Sequence, residues 1–447
     1  MKEVNNLNRQ MEHVKERVEN VLKLAKTLGA DGAEVAMSRQ QGLSVNTRLG
    51  EVENVEFTND GALGITVYQA GRKGSASTAD LSEGALTQTV TAAINIAKYT
   101  SVDDCSGLAD KSLLAMTPKE LDLHHPKEIS TDQAIALAKR CEDTALSFDE
   151  RITNSDGATF ASFEGFKVYG NSHGQLVGYP SSRHSLSCVT IASDGDDMER
   201  DYAYTVNRDF DLLDDAEQVG RKAASEVLSR LQPQKLSTRK VPVLFRADIA
   251  NTIFGHLIAA ISGGNLYRKS SFLLDALGQP IFPEHLTINE QPHIPKALAS
   301  SAFDSEGVAT VDREIIKQGA LETYLLTSYS ARKLGMTTTG HAGGIHNWIV
   351  SQNGGDFEAM LNQLGTGLLV TELMGQGVNV VNGDYSRGAA GFWVENGRIQ
   401  YPVAEITIAG NLQDMFKNMI SIGSDTDMHG SIRTGSVLIE EMQIAGN

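Results

Sequence analysis

An apolar segment from Ala247 to Ser262, ADIANTIFGHLIAAIS, carries a single histidine, His256. Its composition predicts a helix that holds one imidazole in mostly apolar surroundings. Zinc hydrolases use two or three protein ligands and a general base, commonly His and Glu on one helix. Asn251 and Thr252 occupy the partner positions here and offer neither an imidazole nor a carboxylate. A partly buried structural histidine is therefore favoured over half of a metal site.

Other metal ligands are scarce in the sequence. The three cysteines, Cys105, Cys141 and Cys188, form no C-x-x-C pair, and no cysteine follows Cys188. Asn251 could contribute only a neutral amide, which binds zinc poorly compared with an imidazole or a thiolate. We therefore predict neither a metal nor a cofactor in this chain.

Two more histidines, His341 and His346, flank glycines in the string TGHAGGIHNW. No carboxylate accompanies them in sequence, so solvated side chains are favoured over a ligand-binding loop. His124 and His125 lie in a proline-containing connector and are expected to be exposed. An autonomous metal site remains the alternative hypothesis, with ligands drawn from His256, His341, His346 and His429.

A G-x-S-x-G string spans Gly170 to Gly174, with Ser172 at its centre. In a nucleophile elbow such a serine lies between a strand and a helix. No helical pattern follows Gly174, and Gly, Asn and Ser are ordinary turn residues, so a hairpin turn is predicted instead. The sequence contains no Walker loop and no G-x-G-x-x-G fingerprint, so nucleotide binding has no support.

Composition narrows the function classes further. The chain has 447 residues, 41% hydrophobic and 21% charged, with a net charge of −17. Nucleic-acid binding needs a basic face, and no run of Lys and Arg occurs, so we predict no nucleic-acid partner. The first twenty residues lack an apolar signal core, and no later stretch approaches eighteen apolar residues. We expect a soluble, cytoplasmic protein with no membrane contact.

Apolar periodicity predicts an α+β fold. One helix ends near Gly29 and a second begins at Ser82. The strands predicted between them are Ala33–Met37, Leu43–Leu49, Val52–Phe57 and Leu63–Tyr68, with a turn near Asn59 to Gly61. The order helix, strands, helix recurs from Thr131 to Leu231. These patterns predict an N-terminal α+β module over residues 1–118 and a second over residues 119–233.

Residues 234–447 are predicted to form an antiparallel, barrel-like β domain on which the helix of residues 247–262 packs. Asn396-Gly397 is a strong signal for a type I′ hairpin turn. The candidate strands are Val308–Arg313, Ala320–Leu326, Gly367–Leu373, Val378–Asn382, Ala390–Glu395 and Arg398–Ile408.

Several strings in this order resemble one family. They are DSEGVAT from Asp304, YSARKLG from Tyr329, SRGAAGFW from Ser386 and YPVAEITIAGN from Tyr401, preceded by GALGITV from Gly61 and GSAST from Gly74. Together they closely resemble the TldD/PmbA family of metallopeptidases, also called modulators of DNA gyrase. The resemblance covers nearly the whole chain.

The resemblance implies two kinds of subunit. TldD-type members carry an HExxxH zinc motif on a helix and a further cysteine ligand near the C-terminus. The matching segment here keeps His256, but Asn251 and Thr252 replace the first histidine and the glutamate, and the tail from Ile422 to Gly430 has no cysteine. The chain therefore resembles the PmbA (TldE) branch, and its segment Asn251, Thr252, His256 resembles the relic of a metal helix.

The branch assignment implies a function. We expect a subunit with no catalytic residues of its own, whose TldD-type catalytic partner carries zinc. The complex would degrade unfolded peptides and process peptide precursors, including peptide antibiotics. A regulatory protein that acts on DNA gyrase or another protein without proteolysis is the alternative. The isolated chain could form a homodimer.

Three residues, Ser386, Arg387 and Gly388, are candidates for a substrate groove near the interior of the sheet domain. A structural role for Arg387, paired with a carboxylate such as Glu405, is favoured over substrate binding.

Overall fold

The computed structural model describes the backbone of residues 2–446 and the side chains of residues 7–446. Its N-terminal half is built on one six-stranded antiparallel sheet with the strand order β3-β2-β1-β4-β5-β6. Because β1 pairs with β4, the two predicted modules share this sheet. The elements are α1 (Lys2–Thr27), β1 (Gly32–Arg48), β2 (Glu51–Gln69), β3 (Arg72–Thr78), α2 (Glu83–Tyr99), α3 (Thr131–Leu146), β4 (Ile152–Asn171), β5 (Leu176–Asp194), β6 (Asp197–Asn207) and α4 (Ala216–Ser229).

Tight turns set the register of the first strands. Leu49-Gly50 joins β1 to β2 and Ala70-Gly71 joins β2 to β3, and all four residues have φ between 50° and 78°. A type I′ turn requires this left-handed backbone, and its twist matches that of the flanking strands.

The predicted turn near Asn59 to Gly61 is wrong. Pairing with β1 continues through these residues, from Asn59 opposite Gln41 to Gly61 opposite Arg39. The long β1 strand satisfies the backbone hydrogen-bonding groups of β2 here, so the local turn preference of Asn-Asp-Gly is overridden.

The two faces of this sheet differ. Odd-numbered residues of β1, such as Val35 and Val45, are buried beneath helices α1 to α4. Burial of each such side chain contributes about 1.5–3 kcal/mol. Even-numbered residues such as Ser38, which pairs with Lys167 of β4, lie on the opposite face and are exposed. We call this second surface the helix-free face.

The C-terminal half contains a closed barrel. Its sheet has the order β14-β13-β12-β7-β17-β15, and an additional pairing between β14 and β17 closes the ring. The α+β class and the barrel-like C-terminal domain are thus confirmed. The barrel-sheet strands are β7 (Arg239–Phe245), β12 (Gly367–Met374), β13 (Asp384–Glu395), β14 (Arg398–Asn411), β15 (Met419–Ile422) and β17 (Val437–Ala445).

A second sheet of short strands has the order β10-β9-β8-β11-β16. Its strands are β8 (Ile288–Glu290), β9 (Arg313–Lys317), β10 (Ala320–Leu321), β11 (Trp348–Val350) and β16 (Ile432–Arg433). The helices of this half are α5 (Ala247–Ile261), α6 (Gly263–Tyr267), α7 (Ser328–Lys333), α8 (Phe357–Leu364) and α9 (Leu412–Lys417).

Helix α5 packs on the barrel, as predicted. It follows β7 directly, and the Arg246 backbone N–H before it donates to the Val370 carbonyl of β12 at 3.0 Å. Ile253, Phe254 and Leu257 are fully buried in the core shared with the barrel. Because this apolar stripe faces the core, only the other side of α5 can present side chains to a ligand.

Three predicted strands differ from the observed ones. Val308–Arg313 is largely loop, and β9 begins only at Arg313. Ala320–Leu326 is a strand only at Ala320–Leu321. Val378–Asn382 forms a single bridge, from Val378 to Tyr385, because Asn379 bonds locally to Gly383 and Asp384 and the Val380 carbonyl accepts from the Phe272 backbone N–H.

Polar side chains join the two halves. Gln175, in the β4–β5 turn, donates from Nε2 to the carbonyls of Ala115 and Gly307, both at 2.9 Å. Arg208, after β6, donates to the carbonyls of Ala297 and Leu298. The connector and the C-terminal loops are thereby held against the N-terminal sheet. Within residues 2–446, no helix is long and apolar enough to cross a membrane.

Candidate functional site

His256 lies at the seam between α5 and the barrel. Its Nε2 atom is buried and has no hydrogen-bond partner among the described residues. The imidazole meets the Tyr385 ring edge to face, with 5.8 Å between ring centroids. Burial, reinforced by the positive charge of Arg387, lowers the His256 pKa to about 4. The imidazole is therefore neutral at pH 7, with a free nitrogen.

Strand β13 supplies the other side of this seam. Tyr385 is 2% exposed, and its burial raises its pKa to about 12, an effect that the nearby Arg387 charge partly offsets. Arg387 donates from Nε to the Gly375 carbonyl at 3.1 Å. The seam thus brings together an imidazole, a phenol and a guanidinium. Tyr385 was not predicted, although it directly precedes the SRGAAGFW string.

The candidates Ser386, Arg387 and Gly388 do not share one face. Strand alternation directs Tyr385 and Arg387 toward α5, whereas Ser386 is exposed, so the expected interior position of Ser386 is wrong. The expected ion pair between Arg387 and Glu405 is also wrong, since no carboxylate lies within 4 Å of the guanidinium in the described part of the chain.

The donor set of α5 does not fit zinc. Thr252 Oγ1 donates to the Ile249 carbonyl at 2.7 Å, and Asn251 offers only an amide. A stable zinc site needs three or four imidazole, thiolate or carboxylate ligands. Across the described residues, no group of three His, Cys, Asp or Glu side chains is placed to hold a metal ion. No chemical step is therefore assigned to a metal in this chain.

The expectation that His341 and His346 are solvated is wrong, because both are buried around Glu290. His341 Nε2 lies 2.8 Å from one carboxylate oxygen, and both side chains are 2% exposed. The other oxygen accepts from the His346 backbone N–H at 2.8 Å and from Trp348 Nε1 at 3.2 Å. Burial alone would raise the Glu290 pKa, but the hydrogen bond from His341 and nearby charges lower it. Glu290 lies far upstream of the histidines, so spacing gave no signal for this cluster.

His429 and His124 have separate carboxylate partners. His429 Nδ1 lies 2.7 Å from Asp427, and His124 Nε2 lies 3.0 Å from Glu164 with only 9% of the histidine side chain exposed. The expected exposure of His124 is therefore wrong. The four histidines of the alternative metal hypothesis do not converge on one point.

The G-x-S-x-G string forms the predicted hairpin turn between β4 and β5. Ser172 Oγ accepts from the Ala33 backbone N–H at 2.9 Å, and Gly174 has φ of 93°. The hydroxyl ties the turn to the start of β1. It is a structural element and not a raised nucleophile.

Three family models cover most of this chain. They describe PmbA/TldA metallopeptidase domain 1 at residues 33–97, the central domain at 124–231 and the C-terminal domain at 238–446. The chain belongs to the PmbA/TldD metallopeptidase family. Among curated relatives, Metalloprotease PmbA of Escherichia coli O157:H7 is 59% identical, covering 100% of this chain and 99% of the relative. A PmbA homolog of Haemophilus influenzae is 58% identical over 99% of this chain and 98% of its own length. These matches place the chain in the PmbA branch.

Solved structures share the fold. A candidate modulator of DNA gyrase from Bacteroides thetaiotaomicron superposes with a TM-score of 0.92 at 28% identity, covering 97% of this chain and 99% of that one. TldE from Thermococcus kodakarensis superposes with a TM-score of 0.83 at 21% identity, covering 96% and 100%. The whole architecture of both halves is thus common to the family.

Proposed function

We propose that this chain is the PmbA-type subunit of a metallopeptidase complex, in which a TldD-type partner holds zinc and cleaves unfolded peptides and peptide precursors. The close relatives are named metalloproteases. The observation that carries the proposal is the chemistry of α5. At the positions where the catalytic pattern needs a histidine and a glutamate, this chain has Asn251 and Thr252.

The physical reason lies in what peptide hydrolysis requires. A peptidase zinc polarises the scissile carbonyl and activates water, and a carboxylate takes the proton. One imidazole cannot hold the ion, and the Thr252 hydroxyl, already donating to the Ile249 carbonyl, cannot act as the base. The chain instead offers a rigid scaffold with Arg387 and Tyr385 at its α5 seam, suited to bind substrate or to cover a partner's active site.

Co-expression with a TldD-type subunit tests the proposal. We expect a stable hetero-complex in size-exclusion chromatography, zinc in the partner, and faster cleavage of an unstructured peptide than by the partner alone. Absence of a complex together with unchanged cleavage would contradict the proposal and favour a regulatory protein. Stoichiometric zinc in this chain alone, lost on His256→Ala, would instead show an autonomous peptidase.

Arg387→Ala within the reconstituted complex tests the α5 seam. We expect slower peptide cleavage with the complex intact, because a guanidinium facing the seam is lost. Arg398→Ala is the matched control, since Arg398 is exposed on the neighbouring strand β14. Equal cleavage rates for the two variants would remove Arg387 from the substrate groove and leave the subunit proposal standing.

A further inference from the structure

The helix-free face of the N-terminal sheet forms the floor of a long groove. Two adjoining cavities of about 540 and 470 Å³ lie over it and share Ser38, Ala62, Lys167, Arg208 and Leu298 among their lining residues. Strands β2, β1, β4 and β5 supply the floor, and the C-terminal loop around Leu298 supplies one wall. The groove is therefore continuous and lies between the two halves of the chain.

Cations without a carboxylate partner line this groove. Lys167, Arg183 and Arg208 contribute to its lining, and none of them has a carboxylate within 4 Å among the described side chains. Elsewhere, Arg230 and Arg246 each pair with two or more carboxylates. Arg208 already donates to backbone carbonyls, but the exposed Lys167 and Arg183 leave an attraction for anions unsatisfied in a chain with net charge −17.

The carboxylates of the groove do not neutralise these cations. Glu164 is already held by His124 at 3.0 Å and by Gln41 at 2.8 Å. Asp304 accepts three backbone N–H groups, from Glu306, Val308 and Ala342. Asp60, on β2, is exposed and lies within 4 Å of none of these cations among the described side chains.

Two of the cations are exposed and spaced along the strand direction. Lys167 is on β4, and Arg183 of β5 pairs with Phe163, four residues before Lys167. Four residues of extended chain span about 13 Å. A ligand that lies along β4 and β5 can therefore meet both charges when its own anionic groups are similarly spaced.

We propose that this groove binds extended peptide segments rich in Asp and Glu, whose carboxylates contact Lys167 and Arg183. This inference rests on the proposed function, because it names the class of peptide that the proposed complex would bind. The groove offers apolar contact as well, from Phe163 and from Tyr179, whose ring packs edge to face on Phe303 at 5.6 Å. The groove can therefore contact both the carboxylates and the aliphatic parts of the Asp and Glu side chains of a peptide.

Binding to the isolated chain tests the inference without any protease activity. The probes are a fluorescein-labelled, unstructured twelve-residue peptide rich in Glu and its counterpart with Gln at every Glu position. We expect tighter binding of the Glu peptide by fluorescence anisotropy, with Kd rising as NaCl is added because salt screens exposed charges. Equal affinities for the two peptides would overturn the inference.

The double variant Lys167→Gln/Arg183→Gln locates the binding. Loss of two exposed ion pairs predicts a Kd about 5- to 10-fold higher for the Glu peptide. Lys235→Gln/Arg398→Gln removes two exposed cations that have no ion pair and lie outside the groove, and it should bind as the unmodified chain does. Equal loss in both double variants would show non-specific attraction and overturn the inference.

The outcome is separable from that of the subunit proposal. If the chain binds the Glu peptide more tightly but forms no complex with a TldD-type subunit, the groove inference stands and the subunit proposal is wrong. If the chain forms the complex but binds the two peptides equally, the subunit proposal stands and the groove inference is wrong.

Discussion

At the scale of single residues, this protein carries several buried polar groups whose protonation is fixed by their surroundings. His256 has no partner for Nε2, whereas Glu290 is surrounded by three donors. The sequence predicted His256 correctly as a lone imidazole on an apolar helix. It could not predict the partners of His341 and His346, because Glu290 reaches them through the pairing of β8 with β11 and not through local spacing.

Acid should weaken the fold partly through His256. Its pKa of about 4 in the folded chain lies below the unfolded value of about 6.5. The unfolded state therefore binds a proton first, so stability is fully present above pH 6.5 and falls toward pH 4, by about 1–3 kcal/mol from this residue. We expect the urea midpoint to drop less between pH 7 and pH 5 in His256→Phe than in the unmodified chain.

The matched control for that experiment is His13→Phe, since His13 is an exposed histidine on α1. A pH dependence identical in His256→Phe and His13→Phe would contradict the assignment of a neutral, buried imidazole at position 256.

Removing the charge of Glu290 should destabilise the C-terminal half. Glu290→Gln places an amide N–H₂ among groups that already donate, which leaves buried donors unsatisfied at a cost of about 2–4 kcal/mol. Glu314→Gln, an exposed carboxylate on β9, should change stability by less than about 0.5 kcal/mol. Thermal unfolding of the two variants gives the comparison, and similar melting temperatures would argue against an ionised Glu290.

At the scale of elements, local signals predicted helices and tight hairpins well. Ser82 caps α2 and Gly29 follows α1, as their residue types indicated. The same signals failed at Asn59 to Gly61, where long-range pairing outweighed turn preference, and at Val378–Asn382, where a β-rich string forms a loop. The sequence predicted a barrel-like domain, but it could not predict that β14 and β17 close the ring, because no local pattern specifies which strands pair.

Close approach of barrel strands gives a prediction about two glycines. A Cβ added at Gly391 on β13 would lie 1.9 Å from the Leu369 carbonyl oxygen of β12, so Gly391→Ala should cost about 2–4 kcal/mol. A Cβ at Gly255 on α5 would meet no atom within 4 Å, so Gly255→Ala should stabilise the helix by about 0.5–1 kcal/mol. Opposite shifts in melting temperature are expected, and a neutral Gly391→Ala would contradict the observed strand packing.

At the scale of the whole molecule, polar contacts join the two halves at several places, including Lys296 with Asp209 and Tyr329 with Asp103. Gln175 is 1% exposed and bonds at once to the connector and to the C-terminal loop. Composition indicated an acidic chain, but only the sheet pairing shows that Lys167 and Arg183, two exposed cations with no ion pair among the described residues, face the same groove. The net charge does not reveal where charges lie in three dimensions, because residues at alternate positions of one strand point to opposite faces of the sheet.

Gln175→Leu should loosen the coupling of the two halves. The substitution leaves the Ala115 carbonyl without a donor, at a cost of about 1–3 kcal/mol, and leaves the Gly307 carbonyl with only the Ala115 backbone N–H at 2.9 Å. Calorimetry should then show broadened or separate unfolding transitions, whereas Gln400→Leu, at an exposed position on β14, should unfold as the unmodified chain does. A single unchanged transition in Gln175→Leu would mean that apolar packing alone couples the halves.

The late position of β17 in the sequence also determines when the barrel can close during translation. Every strand of the N-terminal sheet is complete by Asn207, so that half can fold while the ribosome is still translating, as N-terminal domains commonly do. Strand β7 is made next, but its partner β17 is translated after all other barrel strands. The nascent chain therefore carries one unpaired edge of β7 until β17 has been translated. An unpaired strand edge in a nascent chain is a template for aggregation, which chaperones counteract.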